Sequence, residues 1–277
     1  MNWKGLMKHP FILLLCLSIL TACLSEEEKR LQTDQSFEGE EMFSLSYSLD
    51  EHVAYAFRSL EFYRDTVNQS VLPGCPVVTI NEVSNEVVLT FGGAECPTNK
   101  PLRTGKLILS YTSDTLANEN QQVAIRYEDY WVKGVKVDGR RQLHSVDSAS
   151  ADLALLDSIS DFIITDANRS TSKLNGVLLH ELFMEADSLR YYTTTGSGAG
   201  RNLTGRPFTF DINQEKHFSF SCVQEGDLVA ENGKESWTFE RTAARNAIHT
   251  VNYQQAEDCS HTAQIQLDDG RELLKKQ

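Results

Sequence analysis

The residues able to do chemistry in this chain fall into a few short groupings, and each lacks a member that its chemistry requires. His180-Glu181 would open a His-Glu-x-x-His zinc helix, but Met184 stands where the second histidine is needed. Gly196 to Gly200 has the glycine density of a phosphate loop. Such a loop must run into a helix N-terminus, and Pro207 ends any helix early, so a flexible turn is expected. Asp166-Ala167-Asn168-Arg169-Ser170 starts like a calcium loop, yet Thr171 occupies the position where the bend needs glycine. Cys259 and His261 are near enough for a metal, although a disulfide uses that cysteine more economically. No serine sits in a Gly-x-Ser-x-Gly elbow, and nothing singles out a carboxylate pair. His52, His144, His217 and His249 are scattered singly, as surface or packing residues are. The chain therefore reads as non-enzymatic, with no catalytic residue, no metal ligand and no cofactor assigned.

Cys23 is the exception, because its neighbours prescribe a reaction. Lys4 and Lys8 make a positive start, Phe11 to Leu20 is an apolar run, and Thr21-Ala22 are small residues before Cys23. These are the three parts of an export signal. As a helix the run spans about 15 Å, half a hydrocarbon core, so it is not a membrane span. Leu20-Thr21-Ala22-Cys23 resembles the bacterial lipoprotein signal. The resemblance implies a signal peptide over 1–22, cleavage before Cys23 and acylation of that cysteine, enough for a stable membrane anchor. Glu26-Glu27-Glu28 follows closely and resembles the surface-export signal of Bacteroidota lipoproteins. The expected location is the outer membrane, lipid-anchored and surface-facing, with a periplasm-facing protein as the alternative. Residues 23–48 then read as an acidic flexible tether.

Composition narrows the function classes. Removing Lys4 and Lys8 with the signal takes the net charge from −13 to −15, a balance that repels nucleic acid. With 40% hydrophobic residues and six prolines in 277, the remainder has enough apolar side chains for a core. Of six cysteines, Cys16 leaves with the signal and Cys23 takes the lipid. Cys75, Cys96, Cys222 and Cys259 remain for an oxidising compartment, and four cysteines allow three connectivities.

The elements around these residues are mostly strands. Val53, Ala56-Phe57, Leu60, Tyr63 and Val67 recur at three and four residues, which predicts an amphipathic helix from Asp50 (as N-cap) to Val71, ended by Pro73-Gly74. Val77–Ile80 and Val87–Phe91 then form a hairpin. Leu107, Leu109 and Tyr111 alternate, as do Val123, Ile125 and Tyr127, and Tyr130 to Gly139 continues the meander. Leu153 to Ile164 is irregular, 168–176 reads as a loop, and Val177 to Phe183 fits strand or helix. Tyr191 to Thr195 is β-prone. Alternation returns at Phe208, Phe210 and Ile212, at Phe218, Phe220 and Cys222, at Trp237 and Phe239, and at Ala247, His249, Val251 and Tyr253.

Leu89 to Cys96 is echoed by Val251 to Cys259, each preceded by a strand with a cysteine at its edge. The echo favours the local pairing, Cys75–Cys96 with Cys222–Cys259, and two related halves at 49–150 and 151–277. At Cys75-Pro76-Val77-Val78-Thr79-Ile80, Phe91-Gly92 to Cys96, Gly105 to Leu109 and Tyr130 to Gly139 the chain resembles uncharacterised Bacteroidota envelope lipoproteins. The resemblance implies an N-terminal helix followed by a duplicated, cysteine-bounded β meander, and it brings no catalytic residues. Asp-Ser/Thr-apolar triplets at Thr66, Thr115, Ser148, Ser158 and Ser188 resemble the O-glycosylation sequon of that phylum's envelope proteins, though Asx-turn chemistry favours the same pairs.

The fold expected is mainly β, an antiparallel meander or half-barrel with its apolar face covered by the helix, as one domain over 49–277. The function expected is a membrane-anchored surface lipoprotein with a non-enzymatic structural or interaction role toward an unknown protein or glycan. The alternatives are a glycan-binding module using Trp131, Trp237 and Tyr191-Tyr192, and a periplasmic carrier of a lipid or other apolar ligand.

Overall fold

The computed structural model describes residues 35–69, 72–92, 102–112, 122–185, 188–226, 228–242, 245–255 and 259–276. The expected export signal, Cys23, Cys96 and Thr115 lie outside them. Thirteen antiparallel strands follow one another in a single sheet whose spatial order is the chain order. They are β1 Val77–Asn81, β2 Glu86–Phe91, β3 Arg103–Tyr111, β4 Gln122–Val132, β5 Val135–Val146, β6 Leu153–Thr165 and β7 Thr171–Glu185. The meander goes on through β8 Ser188–Arg201, β9 Pro207–Ser219, β10 Asn232–Thr242, β11 Arg245–Gln255, β12 His261–Gln266 and β13 Glu272–Lys276. β5 and β6 pair along most of their length, so the sheet is continuous across residue 150 and is not broken into two halves.

The helical part departs from expectation. Helix α1 covers 35–51, and short helices α2 Val53–Ala56, α3 Leu60–Arg64 and α4 Thr66–Gln69 follow. Asp50 is therefore not an N-cap; it sits inside α1. Of the expected tether, 35–48 is helix, and every residue from Leu45 to Phe57 is buried. Ser36, Phe37, Glu40 and Ser44 leave a partly exposed stripe on the first half of α1, but from Leu45 on the helix has no face toward water, so the usual amphipathic signature is lost there. The sheet curls around it. Glu51 meets Arg103 of β3 and Tyr130 of β4, Glu41 meets Ser172 of β7, and Ser46 meets Glu235 of β10 and Tyr253 of β11. On another side, a Cβ on Gly39 would lie 2.7 Å from Leu267 and 3.3 Å from Leu273 of β13. Strands from both ends of the sheet thus touch one helix.

Bulges supply part of the curvature. The β3–β4 register shifts at Gly105 and the β5–β6 register at Gly139, where φ is +85° and +118°. Opposite them, Asp129 and Asp161 also have positive φ, and each bulge sharpens the local twist.

Four smaller expectations are corrected, the first being that Leu153 to Ile164, expected to be irregular, lies within strand β6, paired to β5 and β7. Strand β7 begins at Thr171, which shortens the 168–176 loop to a tight turn held by Asp166, whose carboxylate accepts from the backbone N–H of Asn168 and Ser170. Gly196 to Gly200 is strand rather than a flexible turn, with Gly198 and Gly200 directly opposite Phe210 and Phe208. The alternation at Phe220 and Cys222 ends in a short helix, α5 Phe220–Glu225. Cys222 is bonded to Cys259, with Cα atoms 5.2 Å apart. Cys75 is also disulfide-bonded.

Candidate functional site

The densest chemistry in the described residues is the polar lining between α1 and the sheet. Each of its strand members occupies an inward position, in phase with the apolar residues of its own strand: His180 between Leu178 and Leu182, Asp157 between Leu155 and Ile159, Glu235 before Trp237. The alternation of a strand decides which face a side chain takes, whatever its polarity. Burial then requires every such group to find a partner.

At the N-terminal end of α1, Glu38 receives Arg206 and Arg241, and His249 Nε2 lies 3.2 Å away. His249 Nδ1 accepts from the backbone N–H of Asp268 at 3.1 Å, so the ring proton sits on Nε2 and is donated to Glu38. One turn on, Glu41 accepts from the Ser172 hydroxyl and from Leu203 N–H at 2.7 Å. Burial pushes its carboxyl up to about 7, with these two donors offsetting part of the rise.

Further along, Ser46 and, one turn later, Asp50 meet Lys216 of β9, and Ser46 also meets Glu235 of β10 and Tyr253 of β11. At the C-terminal end, Glu51 holds Arg103 and accepts from Tyr130 Oη at 2.7 Å. His52 Nε2 lies 2.8 Å from Arg141 Nη1, and burial plus that guanidinium holds the ring neutral, well below its ordinary range.

Beside His52 lies a second line of groups. Arg141 forms a two-pronged pair with Asp157 and donates to Leu49 O. His180 Nε2 is 3.4 Å from the same carboxylate, and its Nδ1 is 2.9 Å from Thr194 Oγ1. Burial pushes Asp157 up, but Arg141 and His180 outweigh it and hold the carboxyl at about 2. Hydroxyl, imidazole and carboxylate in this order resemble a nucleophile, base and orienter. Here Thr194, His180 and Asp157 are each 0% exposed, and Arg141 takes the carboxylate. The line links strands β5 to β8 through buried side chains.

A third cluster lies beside the disulfide. Cys222 Sγ, a Glu231 oxygen and a His261 nitrogen are within 4.8 Å of one another, and His217 Nδ1 is 3.1 Å from Glu231. The disulfide leaves Cys222 no thiolate to offer a metal.

The triplet hydroxyls do not converge. Thr66 is exposed at the start of α4, and Ser188 is exposed at the β7–β8 hairpin. Ser148 is half-buried, donates to Glu181 at 2.7 Å and accepts from Ala151 N–H. Ser158 is half-buried within β6, where its neighbour Asp157 belongs to the core. Asp65 does form an Asx turn, accepting from Val67 N–H at 2.8 Å.

The four candidate stacking rings are also dispersed. Trp237 packs in the core 4.8 Å from Phe210, and Tyr192 stacks in the core on Phe218. Tyr191 lies between Phe183 and His217, at 4.4 and 4.7 Å, so both its faces are covered. Trp131 is half-buried on β4.

His52, His180 and His249 all prove to be core partners of charged groups, which their isolated spacing concealed. Their in-phase positions on strands were the available signal, and for His52 no such signal existed. No protein-family model, curated protein or solved structure matches the chain.

Proposed function

We propose that this chain is a lipid-anchored outer-membrane protein, acylated at Cys23, displayed at the surface and acting without catalysis in a structural or interaction role. The observation that carries this reading is the embedding of α1. Twelve residues after Cys23 the chain is already in α1, where Gln35 accepts from Asp269 N–H, and from Leu45 on every residue of the helix is buried, held in part by charged residues of the sheet. Twelve residues reach at most about 40 Å, so the anchor would pull on the most deeply held element of the protein rather than on a loose end. The same helix occupies the concave volume that an apolar cargo would need, which favours an interaction role over a carrier. Among the described pockets, one beside Tyr55, Arg58 and Phe220 has a volume of about 10 Å³, the size of one water.

The test is chemical analysis of the mature N-terminus together with protease treatment of intact cells. The expected N-terminal peptide begins at Cys23 and carries acyl chains, and external protease degrades the protein. An N-terminus elsewhere, or an unmodified Cys23, would overturn the anchor; complete protection in intact cells would overturn surface display.

A further inference from the structure

Lys216, Asp50 and Glu235 bring an amine, a carboxyl carbon and a proton carrier together in a dry place. Lys216 points inward from β9 and is 2% exposed, Asp50 in the last turn of α1 is 3% exposed, and Glu235 on β10 is 1% exposed. Lys216 Nζ contacts Asp50 Oδ2, lies 3.5 Å from Glu235 Oε2 and donates to Ser46 Oγ at 3.1 Å. Glu235 is itself held in place: Ser46 Oγ donates to its Oε2 at 3.0 Å and Tyr253 Oη to its Oε1 at 2.9 Å. The rings of Tyr253 and Phe218 stand 5.3 and 5.9 Å from the amine.

We propose that Lys216 and Asp50 become joined by an intramolecular isopeptide bond, with Glu235 carrying the proton. The reaction starts with transfer of a proton from the Lys216 ammonium to the Asp50 carboxylate, leaving a free amine facing a carboxylic acid. The Nζ lone pair attacks Asp50 Cγ and forms the N–C bond. Glu235 takes a proton from that nitrogen and delivers it to a hydroxyl on the tetrahedral carbon. The C–O bond then breaks, water leaves, and Glu235 ends as it began. An ammonium and a carboxylate are thereby converted into one amide and one water, with no change in net charge or oxidation state.

The surroundings set the order of the steps: burial pushes the Lys216 amine down, but the charges of Asp50 and Glu235 outweigh it and hold the resting side chain as the ammonium, so proton transfer must come first. Burial pushes the Asp50 carboxyl up to about 6, an effect that Lys216 offsets only in part, so the electrophilic acid form is accessible near neutral pH. Burial of an ion pair is costly, and its replacement by a neutral amide removes that desolvation penalty. Exclusion of bulk water protects the product from hydrolysis. The bond would link positions 166 apart in sequence and fasten α1 covalently inside the sheet. A helix so fastened could not be drawn out through its N-terminal end.

The test is peptide mapping by tandem mass spectrometry on the full chain, folded, then reduced, denatured and digested. The expected result is a branched species linking the peptides of Asp50 and Lys216, lighter than their sum by one water. It should be absent in K216R, and absent or much reduced in E235Q. Recovery of both peptides unlinked from the folded wild type would overturn the proposal whatever the variants do. A water loss mapped to Asp138-Gly139 or Asp269-Gly270, where a succinimide forms, would overturn it equally. Full linkage in a folded E235Q protein would overturn the role given to Glu235.

Discussion

Replacing Arg141 by methionine removes a charge beside the C-terminal end of α1, the helix that plugs the curled sheet. Arg141 is 1% exposed and donates to Asp157, to Leu49 O and to His52. Its charge is the largest of the influences that lower Asp157, and the carboxyl stands at about 2 against an ordinary 3.8. That depression corresponds to about 2 kcal/mol of stability, present above the unfolded value and lost as pH falls from about 4 through 2. Deleting one partner of a buried pair costs more than the pair contributes, because the survivor stays charged and dry; about 3–5 kcal/mol is expected. Against a typical 5–15 kcal/mol total, R141M should remain folded but with a markedly lower urea midpoint at unchanged slope. Two further readings separate this mechanism from loss of packing. Acid protonates the orphaned Asp157, so the gap between wild type and R141M should narrow between pH 7 and pH 4. Adding D157L should recover half or more of the loss, a strong departure from additivity. A loss below about 1 kcal/mol at pH 7, or a D157L change that simply adds to it, would refute the assignment of Arg141–Asp157 as the central buried pair.

Glu41 gives the opposite pH signature. Its carboxyl is raised to about 7, so the stability it contributes is complete below its unfolded value near 4.5 and lost as pH rises through 7. Relative to wild type, E41Q should gain about 3 kcal/mol between pH 4.5 and pH 8, read from urea midpoints at each pH; a flat difference would show that Glu41 is not protonated in the fold. A Cβ at Gly198 would sit 2.5 Å from the Phe210 ring and 2.6 Å from Asn175 O. Even G198A should therefore cost about 1–3 kcal/mol, and a neutral thermal scan would contradict the close ring-on-strand packing. The Cys222–Cys259 bond spans 37 residues, so the C222S/C259S protein should lose about 4 kcal/mol on the loop-entropy account, seen as a lowered Tm; an unchanged Tm would contradict it.

Most strands were legible because their physics is local, whereas β6, the start of β7 and the glycine-rich end of β8 lacked a clean alternation and were read as irregular, loop and turn. Val87, Leu89 and Phe91 announce a face by alternating, and the pairing of each strand with the next follows from short connections. The plug helix was not legible, and the reason is the same one that hid the interior network. Phe43-Ser44-Leu45-Ser46-Tyr47-Ser48-Leu49 alternates like a strand, and Glu38, Glu41, Asp50 and Glu51 look like solvated charges. Each of those carboxylates is buried because a basic or hydroxyl side chain from a distant strand meets it, and such a pairing leaves no periodic trace in either segment. The strand half of each pair did leave one. Arg141 before Leu143, Asp157 between Leu155 and Ile159, and His249 between Ala247 and Val251 are polar residues standing in an apolar phase. A sheet that places arginine, lysine and histidine on its inner face needs acidic counterparts there, some from the sheet itself, as Asp157 meets Arg141, and some from within it, as Glu38 and Glu51 of α1 meet Arg241 and Arg103. The only unassigned acidic segment long enough to enter was the one read as a tether. In-phase basic residues on successive strands, of which Arg103 and Arg241 meet acids of α1, are thus a sequence signal for an acidic helix within the sheet, and the R141M experiment measures how much the fold depends on the charged interior around it.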